Sequence, residues 1–281
     1  MTTARFALHP FISLSLTAAA LAVSLPAHAL VNSADTTRFS AVGEVGGASG
    51  VQIAPNWVLT AAHVAVNVVS HVTSFQSMAG TSVIDAAITF SSEDFPSHDI
   101  ALLHLSTALD NALPQLNDQV ITSGQANKYG TVTLVTAQNQ EPNGLGLSTL
   151  KSTMNSEYQD GARHIVNWLI TQGGASVQGG DSGSALFKGT PADSGGSTLL
   201  GVASAAFNAS SGSSAYTQVA AYKSWINSTM AASGQSALWA STPTAVLAAT
   251  SVVPEPATGA LFMLFGAAAL AHRPTRRKLL G

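Results

Sequence analysis

Short apolar stretches between residues 40 and 220 are the feature that most constrains how this chain can fold. Clusters of Gly, Asn, Ser and Pro separate these stretches, and the segment 54–56 has the composition of a tight turn. Many short strands divided by turn signals predict an all-β sandwich or barrel. The predicted strands contain the apolar segments 51–53, 57–59, 82–84, 87–90, 100–105, 131–135 and 198–202.

Two segments break this β pattern and predict helices. Apolar residues recur at helical spacing near the end of the body, at Val219, Tyr222, Trp225, Ile226 and Thr229. This spacing predicts an amphipathic C-terminal helix over about 218–230, with its Trp225 face packed on the barrel. The segment 61–69 contains no helix breaker and predicts a second helix after His63.

Composition excludes several classes of fold and partner. The chain has no cysteine, so a core of about 200 residues must hold the fold without disulfides. Residues 30–253 carry 6 basic and 13 acidic side chains, which argues against a nucleic-acid partner. No metal site and no cofactor are predicted, since no HExxH or similar ligand spacing occurs. Four histidines are interpreted as structural or surface residues: His71, His98, His104 and His164.

The first 29 residues have the three parts of a secretory signal peptide. Arg5 makes the start positive, residues 10–25 are mainly apolar, and Ala27-His28-Ala29 is a small-x-small cleavage site. We therefore predict a signal peptide over 1–29 that signal peptidase cuts before Leu30. A buried first helix and a membrane anchor are the alternatives.

The end of the chain contains a second targeting segment. Residues 231–253 are small and uncharged, and we predict a linker over 230–252. A Pro-Glu-Pro element at 254–256 precedes an apolar run, 257–271, and a basic cluster. The run is shorter than the roughly 20 residues of a full span, but extended at either end it suffices for a thin bilayer. The basic cluster would keep this end in the cytoplasm.

The three-part tail resembles the PEP-CTERM sorting signal of Gram-negative bacteria over residues 253–278. The resemblance implies processing by an exosortase and release or transfer at the cell surface; an ordinary tail anchor is the alternative. We expect an exported protein that contacts the membrane through this segment before processing. Its expected location is the periplasm, the outer surface or the extracellular matrix of a Gram-negative bacterium.

Three segments carry the residue types of a serine hydrolase: WVLTAAHV at 57–64, SHDIALLHL at 97–105 and QGGDSGSALF at 178–187. A serine hydroxyl needs a base within hydrogen-bond reach, and that base needs an orienting acceptor. The predicted roles are nucleophile for Ser182, general base and then acid for His63, and buried carboxylate for Asp99. Asp94 and Asp110 are weaker candidates because neither precedes a buried-looking strand.

The glycines around Ser182 indicate an oxyanion hole. Glycine permits the tight backbone that would turn the N–H groups of Gly180 and Ser182 toward one point, where the oxyanion of a tetrahedral intermediate would lie. The order His, Asp, Ser also discriminates between hydrolase classes. An α/β-hydrolase needs its His after the Ser, and only His272 in the tail follows Ser182. A subtilisin-type order would need Asp35, which has no catalytic motif around it.

The blocks WVLTAAHV, HDIALL and GGDSGS resemble the signature blocks of the trypsin-like serine proteases. The segments 200–204, 215–219 and 222–226 resemble the later strands and closing helix of that family, so the resemblance covers about residues 30–229. It implies two six-stranded antiparallel β-barrels with a C-terminal helix. His63 and Asp99 would then come from the first barrel and Ser182 from the second.

The resemblance also implies a role for Asp181, the residue before the nucleophile. In the family, a newly freed N-terminal ammonium pairs with this Asp and shapes the oxyanion hole. Signal cleavage would expose Leu30-Val31-Asn32-Ser33, which loosely resembles the activated start of the family. We hypothesise that signal peptidase itself generates the active end.

Specificity residues follow from the same resemblance. Ser176 stands six residues before the nucleophile, where an Asp would favour Lys or Arg. Ser204 and Ala206 belong to the strand that lines the substrate channel, and its backbone can pair with an extended substrate. Ala206 and Ser214 replace two glycines of the pocket and would narrow it. We predict a preference for small or medium uncharged side chains.

These observations predict a secreted or surface-sorted serine endopeptidase that acts on polypeptides. Two alternatives stay open: a non-catalytic surface-binding module on a protease fold, and an esterase that uses the same three residues. Nothing in the sequence indicates an oligomeric state.

Overall fold

The computed structural model describes residues 30–69, 73–93, 95–137, 143–157, 163–208 and 212–241. The predicted signal peptide and sorting signal lie outside these residues. The strands are β1 (Ala34–Thr36), β2 (Val42–Val45), β3 (Ala48–Ala54), β4 (Trp57–Thr60), β5 (Ser74–Ser77), β6 (Gly80–Thr89), β7 (Ala101–Leu105), β8 (Gln115–Leu116), β9 (Thr131–Thr136), β10 (Asn143–Glu157), β11 (His164–Gly174), β12 (Ala185–Lys188), β13 (Thr198–Asn208) and β14 (Ser213–Gln218). The helices are α1 (Ala62–Val69), α2 (Ser123–Tyr129), a 3₁₀ turn (Val219–Tyr222) and α3 (Lys223–Ala231).

The first half of the chain forms a closed antiparallel barrel of six strands. The strand order is β2-β3-β4-β7-β6-β5, and pairing of β2 with β5 closes it. The turn-forming pair Pro55-Asn56 connects β3 to β4 as predicted, with Ala54 opposite Trp57. Alternate side chains point inward and fill the barrel, among them Val58, Phe75 and Leu103, all fully buried.

The second half forms another closed antiparallel barrel of six strands. Its order is β9-β10-β11-β14-β13-β12, closed by the pairing of β12 with β9. Two short strands are added outside this ring: β1 pairs with β10, and β8 runs parallel to β13. The prediction of two six-stranded barrels with a C-terminal helix is confirmed.

A shared apolar core joins the two barrels. It combines side chains from both, including Leu102 from the first and Val202 from the second. Phe39 and Phe187 stack within it with ring centroids 5.3 Å apart. Because removing this apolar surface from water is favourable, the two barrels are held against one another and the cleft between them keeps its shape.

The two predicted helices are present. Helix α1 begins at Ala62, and the C-terminal helix consists of the 3₁₀ turn followed by α3. Ile226 and Met230 are fully buried, and Trp225 packs against the shared core. Helix α2 was not predicted, because Ala126 is its one fully buried residue and it shows no apolar period.

Residues 232–241, which we call the C-terminal strap, pack on the body although they belong to the predicted linker; the rest of that linker, 242–252, lies outside the described residues. The Trp57 indole donates to the Ser233 hydroxyl at 2.9 Å, and the Gln235 amide donates to Asn56 at 2.8 Å. Leu116 and the strap exchange backbone hydrogen bonds, and Trp239 is only 5% exposed. The packed body therefore extends beyond the predicted boundary at residue 229. None of the helices in the described ranges is both long and apolar enough to span a bilayer.

Candidate active site

Neighbouring strands of the first barrel bring His63 and Asp99 together. His63 is the second residue of α1, which follows β4, and Asp99 lies just before β7. Strands β4 and β7 are paired with Thr60 opposite Ala101, so the end of one and the start of the other lie side by side. Ser182 comes from the second barrel, in the loop before β12. The three predicted residues therefore meet at the cleft between the barrels.

A continuous hydrogen-bond relay joins the three side chains. The Ser182 hydroxyl oxygen lies 2.7 Å from His63 Nε2, and His63 Nδ1 lies 2.9 Å from Asp99 Oδ2. Because a carboxylate only accepts hydrogen bonds, Nδ1 carries the ring hydrogen and Nε2 is left to accept the hydroxyl proton. This arrangement can activate a serine hydroxyl as a nucleophile.

Asp99 is almost completely buried, at 1% exposure, and its carboxylate is fully engaged. The backbone N–H of His63 donates to Oδ1 at 3.0 Å, which adds to the imidazole contact. The Ser204 hydroxyl donates to Oδ2 at 2.5 Å. We predicted Ser204 as a substrate-binding residue and missed this contact, because a separation of 105 residues leaves no local pattern.

The loop around Ser182 depends on glycine at two positions. Gly180 has φ 98° and Gly183 has φ 79°, both in the region that favours glycine. A Cβ on Gly183 would lie 2.0 Å from the Ser49 carbonyl oxygen and 2.2 Å from the Thr60 hydroxyl. Within the described residues, the N–H groups of Gly180 and Ser182 donate to no backbone carbonyl, so both are available to a ligand.

Asp181, which belongs to this loop, is completely buried. Its carboxylate accepts hydrogen bonds from the Gln178 backbone N–H at 2.8 Å and the Thr136 hydroxyl at 2.9 Å. Burial raises the pKa of Asp181 from 3.8 to about 7, although these hydrogen bonds oppose the shift. No cationic side chain in the described ranges pairs with it.

The segment that begins at Leu30 runs into the second barrel beside Ser176. Val31 and Ser176 exchange backbone hydrogen bonds of 3.0 and 3.3 Å. Leu30 is 1% exposed and belongs to the same apolar cluster as Ala175 and Val177. Asn32 has φ 57°, a conformation that Asn tolerates better than most residues.

A cavity of about 170 Å³ opens beside the Ser182 hydroxyl. Its lining carries no charged side chain and consists of Val177, Gln178, Gly179, Ser182, Ala203, Ser204, Ala205 and Ala206. The predicted residues Ser204 and Ala206 therefore lie at this cavity. Ser176 and Ser214 do not line it: both are completely buried, and the Ser214 hydroxyl accepts a hydrogen bond from the Val177 backbone.

A larger cavity of about 400 Å³ is lined in part by His63 and Asp99. Apolar side chains of Ala62, Val66 and Phe95 form part of its wall, and Glu93 and Arg163 also contribute. The Phe95 ring packs edge-on against the His63 imidazole, with centroids 5.3 Å apart. The cleft therefore offers one cavity beside Ser182 and another beside His63 and Asp99.

Comparison with protein families gives one match over most of the chain. A family model described as Trypsin matches residues 31–226, a range that contains all three relay residues. A comparison with curated protein sequences found no match.

Proposed function

This chain belongs to the trypsin family of serine proteases, and from that premise we propose that it is an endopeptidase that forms an acyl-enzyme on Ser182. The observation that carries the proposal is the relay from the Ser182 hydroxyl through His63 to the buried Asp99 carboxylate. It supplies the nucleophile, the base and the orienting acceptor that peptide hydrolysis requires.

The proposed reaction has two halves. In the first, the Ser182 oxygen attacks the peptide carbonyl carbon while His63 Nε2 takes the hydroxyl proton. The N–H groups of Gly180 and Ser182 stabilise the oxyanion, and the imidazolium then gives its proton to the leaving amine. In the second half, His63 takes a proton from water as the water oxygen attacks the ester. The proton then passes to the Ser182 oxygen as the new carboxyl end leaves. Asp99 stabilises the imidazolium in both halves.

Casein hydrolysis and fluorophosphonate labelling test this proposal on protein purified after export of the full-length chain. Ser182→Ala should abolish labelling and lower casein hydrolysis on the order of 10⁶-fold. Ser184→Ala is the matched control, because Ser184 lies in the same loop and its buried hydroxyl has no partner in the described residues. Labelling with ester hydrolysis but no amide hydrolysis would indicate an esterase, and no labelling would indicate a binding module.

The proposed substrate is an extended polypeptide with a small or medium uncharged side chain before the cut. The 170 Å³ cavity supports this proposal because its lining is uncharged. Beyond Ala203 one edge of β13 is unpaired within the described residues, so Ser204–Ala206 can add a substrate strand. Fastest cleavage after Arg in a peptide panel would contradict the proposal. Ala206→Gly should widen the cavity and shift the preference toward larger residues.

We also propose that signal peptidase generates the active N-terminus. The Leu30 ammonium would pair with Asp181, and two observations support this: Leu30 is buried beside Ser176, and Asp181 has no cationic partner among the described side chains. An extra serine inserted between Ala29 and Leu30, with cleavage before it, should lower casein hydrolysis at least tenfold. Full activity of that variant, with its N-terminus verified by mass spectrometry, would refute the proposal. We further propose that the chain is exported to the cell surface and that an exosortase processes its sorting tail, residues 253–278.

A further inference from the structure

The backbone beside Asp99 has a conformation that few residues with a side chain adopt. His98 has φ 44°, and the Ile100 N–H donates to the His98 carbonyl at 2.7 Å. This bond closes a three-residue turn with Asp99 at its centre. His, Asn and Asp are enriched at positive φ, but such a conformation persists only where surrounding contacts impose it. The contact that holds His98 therefore also bears on the direction of the Asp99 side chain.

The His98 side chain contacts the C-terminal helix. Its Nδ1 lies 3.1 Å from the hydroxyl of Tyr222, the last residue of the 3₁₀ turn. Tyr222 is 2% exposed and belongs to the shared core of the two barrels, so its ring is held in place. Burial raises the pKa of Tyr222 to about 12, opposed in part by a hydrogen bond with Asn167, so the phenol keeps its proton and can donate it to His98 Nδ1. The Phe90 ring packs on both partners, with centroid distances of 4.9 Å to each.

The hydrogen bonds of the Asp99 carboxylate are made with residues of the cleft. His63 and Ser204 bind its carboxylate, while its backbone is fixed by the turn that His98 begins. We propose that the hydrogen bond between His98 and Tyr222 is a positioning device, through which the C-terminal helix sets the orientation of the Asp99 carboxylate. The inference rests on the proposed proteolytic function. His98 and Tyr222 act through Asp99 and are positioning residues, not catalytic ones.

Tyr222→Phe is the first test, because it removes the hydroxyl and keeps the ring. We expect kcat for peptide hydrolysis to fall about fivefold, the usual effect of one lost hydrogen bond, with KM within twofold. The low-field proton resonance of His63 Nδ1–H should shift, since it reports the contact with Asp99. A purely structural role would lower Tm and leave this resonance and kcat unchanged, which would overturn the proposal.

A double-mutant cycle separates the hydrogen bond from other effects. His98→Asn keeps a residue that tolerates positive φ but shortens the side chain. It should lower kcat as Tyr222→Phe does, and the double variant should be no worse than either single variant. Additive losses would show that the two side chains act independently and would overturn the proposal.

Phe90→Leu is the matched control, because Phe90 packs on the same two rings and contributes no hydroxyl. It should keep kcat within twofold and leave the His63 resonance in place; a loss equal to that of Tyr222→Phe would attribute the effect to packing. The resonance can be measured whether or not the protein cleaves casein. Failure of the proposed function would therefore be visible in the parent protein, separately from failure of this inference.

Discussion

Asp99 shows how a buried charge is made stable at the scale of single residues. A buried carboxylate is costly unless its oxygens accept hydrogen bonds. Here the His63 backbone and ring and the Ser204 hydroxyl donate to it. Ser204 therefore has two roles in the site: it lines the small cavity, and its hydroxyl donates a hydrogen bond to the Asp99 carboxylate.

Removing the Ser204 hydroxyl should weaken the relay. Hydrogen bonds to charged groups contribute about 1.5–3 kcal/mol, so Ser204→Ala should lower kcat about 10- to 100-fold. Steady-state kinetics on a peptide substrate checks this. Thr217→Val is a suitable control, because it deletes another buried hydroxyl next to β13 that has no partner within the described ranges. Equal effects of the two substitutions would contradict the assigned contact.

The raised pKa of Asp181 predicts that the stability of the unprocessed chain, in which residues 1–29 are still attached, depends on pH. Its folded pKa is about 7 and its ordinary value is 3.8, so between these pH values the folded chain binds more protons than the unfolded chain. The free energy of unfolding should therefore fall as the pH rises from about 4 to 7, on the order of 1.4 kcal/mol per pH unit. Urea unfolding across this range measures the slope.

Two comparisons isolate the contribution of Asp181 to that slope. Asp181→Asn removes the titrating group and should flatten the fall between pH 4 and pH 7. The protein processed to begin at Leu30 should also lack this fall in stability, since the Leu30 ammonium beside the Asp181 carboxylate favours the charged form of that carboxylate. An unchanged slope in the Asn variant would assign the pH dependence to other groups.

At the scale of secondary-structure elements, the C-terminal strap ties the end of the chain to both halves of the body. In the first barrel, Ser233 binds the Trp57 indole at the start of β4, and Gln235 binds Asn56 in the turn between β3 and β4. Leu116, which the strap also binds, pairs through β8 with β13 of the second barrel. The strap therefore supports the arrangement of the barrels as well as the position of α3.

Trp239 is the main apolar anchor of the strap. It is 5% exposed, and its indole N–H donates to Asn227 of α3 at 2.9 Å. Trp239→Ala should lower the free energy of unfolding by about 3–5 kcal/mol, the usual cost of truncating a buried Trp. Denaturant unfolding measures this loss. Ser236→Ala, at an exposed position of the strap, should change stability by less than about 0.5 kcal/mol.

At the scale of the whole molecule, the relay requires two barrels to meet within hydrogen-bond distance. The Ser182 carbonyl accepts a hydrogen bond from the Ser49 N–H of the first barrel at 2.8 Å. At Gly183 the nucleophile loop lies so close to Ser49 and Thr60 that a Cβ would clash with both residues. A side chain at this position would push the barrels apart and separate Ser182 from His63.

Gly183→Ala should therefore abolish fluorophosphonate labelling and lower Tm by several degrees. Gly189→Ala is the control, because Gly189 also has a positive φ of 65° but a Cβ there would meet nothing within 4 Å. Gly189→Ala should be destabilised only by backbone strain at this positive φ, and it should still be labelled by the fluorophosphonate. Labelling that survives in Gly183→Ala would show that the barrels tolerate separation.

The amino-acid sequence by itself determined the β class, the two main helices and the three segments of the relay. These features follow from local chemistry: apolar stretches between turn residues, helical spacing near 218–230, and glycines around Ser182. The long strands β10 and β11 were not predicted. In β10, Gly, Ser, Thr and Asn interrupt the apolar residues, whereas β11 contains the mainly apolar segment 165–170, a strand signal that we missed. Pairing with neighbouring strands defines them instead.

Only the tertiary structure decided which distant residues meet. The Ser204–Asp99 bond, the His98–Tyr222 bond and the docking of Trp239 join segments that no local pattern relates. The structure likewise placed Ser204 and Ala206 at the small cavity and left Ser176 and Ser214 buried behind it. Local preferences set the strands and turns, but the packing of the two closed barrels against one another set these contacts, because that packing brings remote residues to one cleft.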